Sequence, residues 1–343
     1  MLAMKRLLLP LLLLVTGILP APACLWDTDS LRDEALQKGS LYDFITGQFP
    51  HHGNGYYTAR IQRLKALPAL DFEQRNDLAA AHIRMEQWTE AEALLRVNLA
   101  EKPGDYFTLS NLGVLEKKRG RYAAAADWTA KALAIKPEGH LGLGDWYLKN
   151  LQYRAATAGA AQSAPAKNFL GIDYATSFTP KRGDEPLPAA EPAEKSAAPE
   201  VIKRLELMLE NDQTFADGFL VTGDFLAATG DLNLAFLCYK RAETLGHPNK
   251  PELEKRLRGL YAHFHEINYQ GGGAKAYAAW MAKVKTKHDT EAANAFAGAA
   301  TWLKQFQKTE AALVAKHGDE KTTPAMVEAE MERKGIKRSR PRK

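Results

Sequence analysis

The side chains able to do chemistry in this chain are few and scattered. Asp27 and Asp29 form an Asp-x-Asp that a hard cation could use as paired carboxylates, but the same side chains, with Ser30 beside them, suit the cap of a helix starting there. His51 and His52 are adjacent, next to Gly53, Asn54 and Gly55, and a loop could turn both imidazoles toward one metal. No cysteine or carboxylate stands near them in sequence to complete a ligand set, so a solvated turn is expected. His263 and His265 fall two apart on a helix, hence on different faces. Gly142 and Gly144 begin a G-x-G, yet Tyr147 occupies the third glycine position of a dinucleotide fingerprint and no strand pattern precedes it. The chain contains no G-x-S-x-G, H-E-x-x-H, P-loop or C-x-x-C. No metal and no cofactor are therefore expected, and an enzyme only through residues dispersed in the fold.

The elements that would position such groups come from a repeat. Asp77–Pro103 and Asn111–Pro137 match at an offset of 34 residues: Leu78 with Leu112, Ala79 with Gly113, Trp88 with Tyr122, Ala91 with Ala125 and Pro103 with Pro137. The small residues let two helices approach closely, the aromatics fill the angle between them, and the prolines end each hairpin. A turn glycine stands at Gly120 in the second copy and is Glu86 in the first. A third match uses Gly223, Gly230, Asp231, Leu232, Ala235, Tyr239 and Ala242.

In this pattern the chain resembles the tetratricopeptide repeat (TPR) family, whose repeat length is also 34. The resemblance implies an all-α fold of antiparallel helical hairpins forming a short right-handed solenoid, with a concave groove lined by first helices that binds a protein or peptide. Carried onto this sequence, the groove positions are Asn76, Ala80, Ile83 and Arg84 from the first repeat and Phe107, Ser110, Asn111, Val114, Lys117 and Lys118 from the second. Lys117, Lys118 and Arg84 could meet a peptide carboxylate or acidic segment, or simply form a solvated helix face. The carboxylate clamp of chaperone-type members wants Lys where Asn76 stands and is disfavoured.

Counting 34 from the flanking matches predicts one hairpin split by an insertion. Its first helix falls near 141–154, with Trp146 and Tyr147 bulky where Leu and Gly are usual, and its second near 200–211. Residues 155–199 lie between. From Asp184 to Pro199 this insertion lacks aromatics and carries too little apolar surface to offset ordering, so a flexible linker is expected. Asn168–Phe178, with three aromatics, is expected to dock. Further on, 200–288 holds the remaining hairpins, the last formed by 251–266 and 273–288. The region 289–330 reads as a capping helix, amphipathic over 291–317 through Phe296, Ala300, Leu303, Phe306 and Leu313. Within 71–154 lie the first two hairpins and the start of the third.

The N-terminus carries Lys5 and Arg6, an apolar stretch from Leu7 to Leu19, then Ala21, Pro22 and Ala23, as in a cleaved signal peptide spanning 1–23. Cleavage there makes Cys24 the first mature residue. The chain would then be exported, periplasmic or extracellular, or a lipoprotein anchored to the membrane through Cys24, although Ala21 replaces the usual Leu. Cys24 could also pair with Cys238, or Cys238 could be a buried small hydrophobe. Residues 24–70 form a helical preface whose opening, CLWD, resembles exported bacterial TPR proteins and implies no activity. Finally, the formal charge of +5 belongs to the ends: 331–343 carries +6, and without it and Lys5 and Arg6 the body stands at −3. That excludes a nucleic-acid-binding body. The basic tail is expected to be disordered and solubilising, or to touch an anionic membrane or other polyanion.

Overall fold

A computed structural model describes residues 39–159, 164–177, 192–266, 271 and 273–338. The expected signal peptide, Cys24, Asp27, Asp29, residues 178–191 and the last five residues lie outside these. Among the described residues there is no strand, only an isolated bridge between Lys167 and Asp173. The α-helices are α1 (Leu41–Thr46), α2 (Asn54–Lys65), α3 (Phe72–Arg84), α4 (Trp88–Glu101), α5 (Tyr106–Lys118), α6 (Tyr122–Ile135), α7 (Gly144–Thr157), α8 (Tyr174–Ser177), α9 (Pro192–Asn211), α10 (Ala216–Thr229), α11 (Leu232–Thr244), α12 (Lys250–Glu266), α13 (Ala274–His317) and α14 (Pro324–Arg333).

Helix starts follow local chemistry. Ser40 and Asp71 form capping boxes at α1 and α3, while Asp105, Asp231 and Thr323 each accept an amide of the first turn of α5, α11 and α14. Positions 34 apart take the same roles. Asp71 and Asp105 cap α3 and α5, and Glu86 (φ 57°) and Gly120 (φ 75°) make the left-handed turns that follow them. An L-residue costs about 1–2 kcal/mol in that conformation.

The helices pack in adjacent pairs: α3 with α4, α5 with α6, and α10 with α11. In the first pair, Arg75 Nε near the start of α3 donates to Asn98 Oδ1 near the end of α4 at 2.5 Å, and His82 meets Gln87 at the opposite end, so the helices run antiparallel. Close approach depends on the small residues. Ala79, Ala91 and Ala125 are fully buried, and a Cβ on Gly113 would lie 2.9 Å from Thr129 Oγ1.

The split hairpin is looser than expected. Helices α7 and α9 meet through side chains, Trp146 against Leu205 and Met208, with Arg204 stacked 4.2 Å over the Trp146 ring, but their backbones stay farther apart than in the other pairs. Tyr147, 34 residues after Gly113, stands where the first two copies carry the small Ala79 and Gly113. Helix α9 starts at Pro192, inside the stretch expected to be a flexible linker, and runs through Pro199. The stretch 164–177 lies against the array, with Phe169 and Tyr174 buried.

The largest departure from expectation is α13. Where a break was expected between a hairpin ending at 288 and a capping helix from 291, one helix of 44 residues continues, about 66 Å long at 1.5 Å per residue. Its first half supplies Met281, Ala292 and Phe296 to the core of α10, α11 and α12; its last turns supply Val314 to the core of α2 and α3. Thus α13 connects the last pairs to the first, and α14 folds back on it through Trp302, Phe306, Val327 and Met331. Residues 331–333, assigned by sequence to the basic tail, end α14. Arg338 beyond them reaches Asp43 at 3.2 Å, lies 5.0 Å over Trp302 and also pairs with Glu328.

Candidate binding face

The predicted groove positions lie on α3 and α5, and the structure changes what most of them can do. These two helices pack on each other as well as on their hairpin partners, so their shared face is largely enclosed. Asn76, Ile83, Ser110, Asn111 and Lys117 are buried rather than exposed, as are Ala80 and Val114. Asn76 Nδ2 donates to Thr108 Oγ1 at 3.2 Å, tying α3 to α5. Phe107 is half-buried, edge-on to Tyr106 at 5.2 Å, and Arg84 is half-buried with its guanidinium 5.9 Å from the Tyr57 ring centre. Lys118 alone of the ten is exposed.

Lys117 is held by a carboxylate that no local sequence signal connects to it. Its Nζ lies 3.3 Å from Asp212 Oδ2 and 5.2 Å from the centre of the Tyr147 ring. Arg154 Nη2 and Asn150 Nδ2 reach the same oxygen at 3.1 and 3.5 Å, and Asp212 Oδ1 accepts from the Thr214 amide and hydroxyl at 3.2 and 2.7 Å. Burial is the largest single influence on Asp212 and favours the neutral acid. Lys117, then Arg154, then the Thr214 hydrogen bonds together outweigh it and hold the carboxyl well below the usual carboxylate range. Beside this site, desolvation followed by repulsion from Lys117 and Arg84 lowers the Lys118 ammonium, with Asp212 and Glu86 opposing. Although Lys118 is exposed, its cationic neighbours make added negative charge favourable here.

A second polar cluster is enclosed. Asp217 accepts from the Phe169 amide at 2.7 Å and lies 2.9 Å from His247 Nε2; it also accepts from the Tyr174 hydroxyl, which in turn meets Tyr153 at 2.8 Å. Burial, then the Asp217 charge, pushes the Tyr174 hydroxyl far above its ordinary value, so it remains a donor. The Asp217 and His247 side chains are fully enclosed. Together with Asn249 Nδ2, which donates to the Pro165 carbonyl at 2.8 Å, this network fastens 164–177 to the array.

The histidine pair expected to form a solvated turn is also reassigned. His52 is buried, its Nδ1 is 2.5 Å from Glu310 Oε1 and its ring stacks on Tyr56 at 3.8 Å, while the Gly53 amide donates to Glu310 Oε2 at 2.7 Å. The carboxylate missing from the local sequence arrives 258 positions later. His51 points elsewhere, edge-on to Phe49 at 4.9 Å. Gly142 ends a 3-10 turn leading into α7, with no phosphate-loop geometry preceded by a strand. Among the described residues no three His, Cys, Asp or Glu side chains are grouped to hold a metal, and no helix is long and apolar enough to cross a membrane. Cys238 is buried and forms no disulfide among the described residues, which do not include Cys24.

Asp212, Arg154 and Asn150, absent from the groove predicted by sequence, are therefore central to this face. Of these only Asp212 had a local signal, the Asp-x-Thr turn that its hydrogen bonds to Thr214 close. Comparison with protein-family models, curated proteins and solved structures finds no match.

Proposed function

We propose that the chain is an exported adaptor of TPR type, its helical pairs wound as a short right-handed solenoid, whose inner face takes an acidic segment of a protein partner. What carries this reading is the charge around Lys118. Lys117, Lys118 and Arg154 each interact with Asp212, Arg84 and Lys117 repel Lys118, and Glu86 is the other acid within reach of Lys118. Lys117 and Arg154 already share the Asp212 carboxylate, which leaves exposed Lys118 to meet an incoming one, with half-buried Phe107 as an apolar contact and the Arg84 charge beside it. Equivalent caps and turns 34 residues apart support the repeat reading.

A photocrosslinking side chain at position 118 should trap a partner in the native cell, whereas the same group at exposed position 97 on α4 should not. Adding Arg84→Glu should abolish the adduct while leaving helicity intact. Equal trapping at both positions, or an adduct indifferent to Arg84→Glu, would remove the inner face from the reading. Export rests on the leader-like N-terminus. The mass of the mature N-terminus tests cleavage after Ala23 and reports whether Cys24 carries lipid.

A further inference from the structure

The enclosed arginines of this protein follow one rule: Arg60 meets Asp77, Arg154 meets Asp212 and Arg256 meets Asp224. Arg241, on α11, departs from it. Its guanidinium lies 5.9 Å from the Phe219 ring centre and 5.6 Å from that of Phe296, and it has no carboxylate partner or hydrogen bond among the described residues. Its Nε is fully enclosed while the side chain as a whole keeps partial exposure, so the group is reachable without being bathed in water. Desolvation lowers its pKa, with no neighbouring charge to compensate.

Beside it stands a second unmet donor. Gln213 Nε2 is buried without a hydrogen bond. Arg241 Nη2 and Gln213 Oε1 each lie 3.5 Å from the point where a Cβ on Gly47 would stand, and Gly47, at φ 83°, caps α1 without a side chain that would fill that space. Guanidinium and carboxamide thus border one small space. An enclosed Nε with no hydrogen bond is costly, and the planar fork of the guanidinium suits the two oxygens of an oxyanion.

We infer that Arg241 and Gln213 form an oxyanion site that takes a carboxylate or phosphoryl group, bordered by Gly47 and by the Phe219 and Phe296 rings. The guanidinium donates two parallel hydrogen bonds to two oxygens, and a half-turn of the Gln213 carboxamide, which sets Nε2 where Oε1 stands beside Gly47, supplies a third. Gln213 follows Asp212 in the chain, but the site uses no residue of the Lys118 face and stands whether or not that face binds a partner.

The test is titration of the full chain with sodium phosphate and, separately, sodium acetate, at constant ionic strength held with chloride, followed by calorimetry and thermal midpoint. A saturable response to either anion is expected, and the responding one names the group the site takes. Arg241→Met should abolish it, and Arg241→Lys, which keeps the charge but loses the planar fork, should weaken it at least tenfold. Because the Arg241 stem packs in the core, Gln213→Leu provides an independent variant, also expected to weaken binding. The inference is overturned if neither anion gives a response beyond chloride, or if the response survives both Arg241→Met and Gln213→Leu.

Discussion

Replacing Asp212 by Asn tests the arrangement that binds α5, α7 and the turn before α10 together. The amide keeps the shape of the carboxylate and an oxygen for Thr214, but removes the charge that Lys117 and Arg154, whose side chains are 7% and 12% exposed, share. Removing one partner of a buried ion pair costs about 3–5 kcal/mol. The lower end applies here, because Lys117 retains the Tyr147 ring, and Arg154 retains Tyr122 at 5.4 Å, Phe215 at 5.0 Å and the Thr214 hydroxyl. A loss of about 3 kcal/mol lowers the urea midpoint by roughly 1 M if the slope is about 3 kcal/mol per M. Circular dichroism during urea unfolding measures it.

The sign with pH follows from the depressed carboxyl. The unfolded chain takes up the proton first, so the contribution of Asp212 is complete above about pH 4 and is lost as pH falls through the lower folded value. The gap between wild type and Asp212→Asn should therefore shrink below pH 4. Replacing all three groups, Asp212→Leu with Lys117→Met and Arg154→Met, should cost less than Asp212→Asn alone, because no unpaired charge remains. A single-variant loss under about 1 kcal/mol at pH 7, or a gap undiminished at pH 2, would refute the reasoning.

Gly223→Ala should destabilise the α10–α11 pair by roughly 2–3 kcal/mol in calorimetry. The new Cβ would lie 2.4 Å from Tyr239 Cε1, and that ring is fixed by its hydroxyl bond to Asp224 at 2.8 Å, so it cannot swing away. Glu86→Gly should stabilise by about 0.5–1 kcal/mol, since relief of the left-handed backbone exceeds the added entropy of the unfolded chain. Gly120→Ala, at the matching turn, should change the thermal midpoint in the opposite direction.

What the sequence disclosed was the local part of the fold. The 34-residue offset located α3 to α6, because Ala79, Gly113, Ala91 and Ala125 are small for a reason confined to their own hairpins. The uninterrupted α13 was hidden by its own chemistry. His288, Asp289 and Thr290 followed by Glu291 look like a helix start, but Asp289 is taken by Lys240 at 3.0 Å and Lys285 at 2.5 Å and by the Tyr261 hydroxyl, so it serves neighbouring helices instead of capping a new one. The candidate face was legible only in outline for the same reason. The positive charge at Lys117 and Lys118 can be counted along the chain, whereas the carboxylate that claims Lys117 lies 95 positions away and His52 meets its partner at a separation of 258.

The span of α13 has a consequence for the time at which the molecule can complete itself. The seat of the 48–53 loop and of α2 is built from Glu310, Ala311, Val314 and Asp319, the last of which receives Arg63 at 2.9 Å. At a synthesis rate of about 5–20 residues per second, that seat emerges roughly 13–50 s after the histidine that docks there. Through that interval Tyr56, Tyr57, Ile61 and Leu64 lack Val314, which completes the core they share with α3. The hairpins in the middle can form as they appear, but the two ends of the chain must wait for each other.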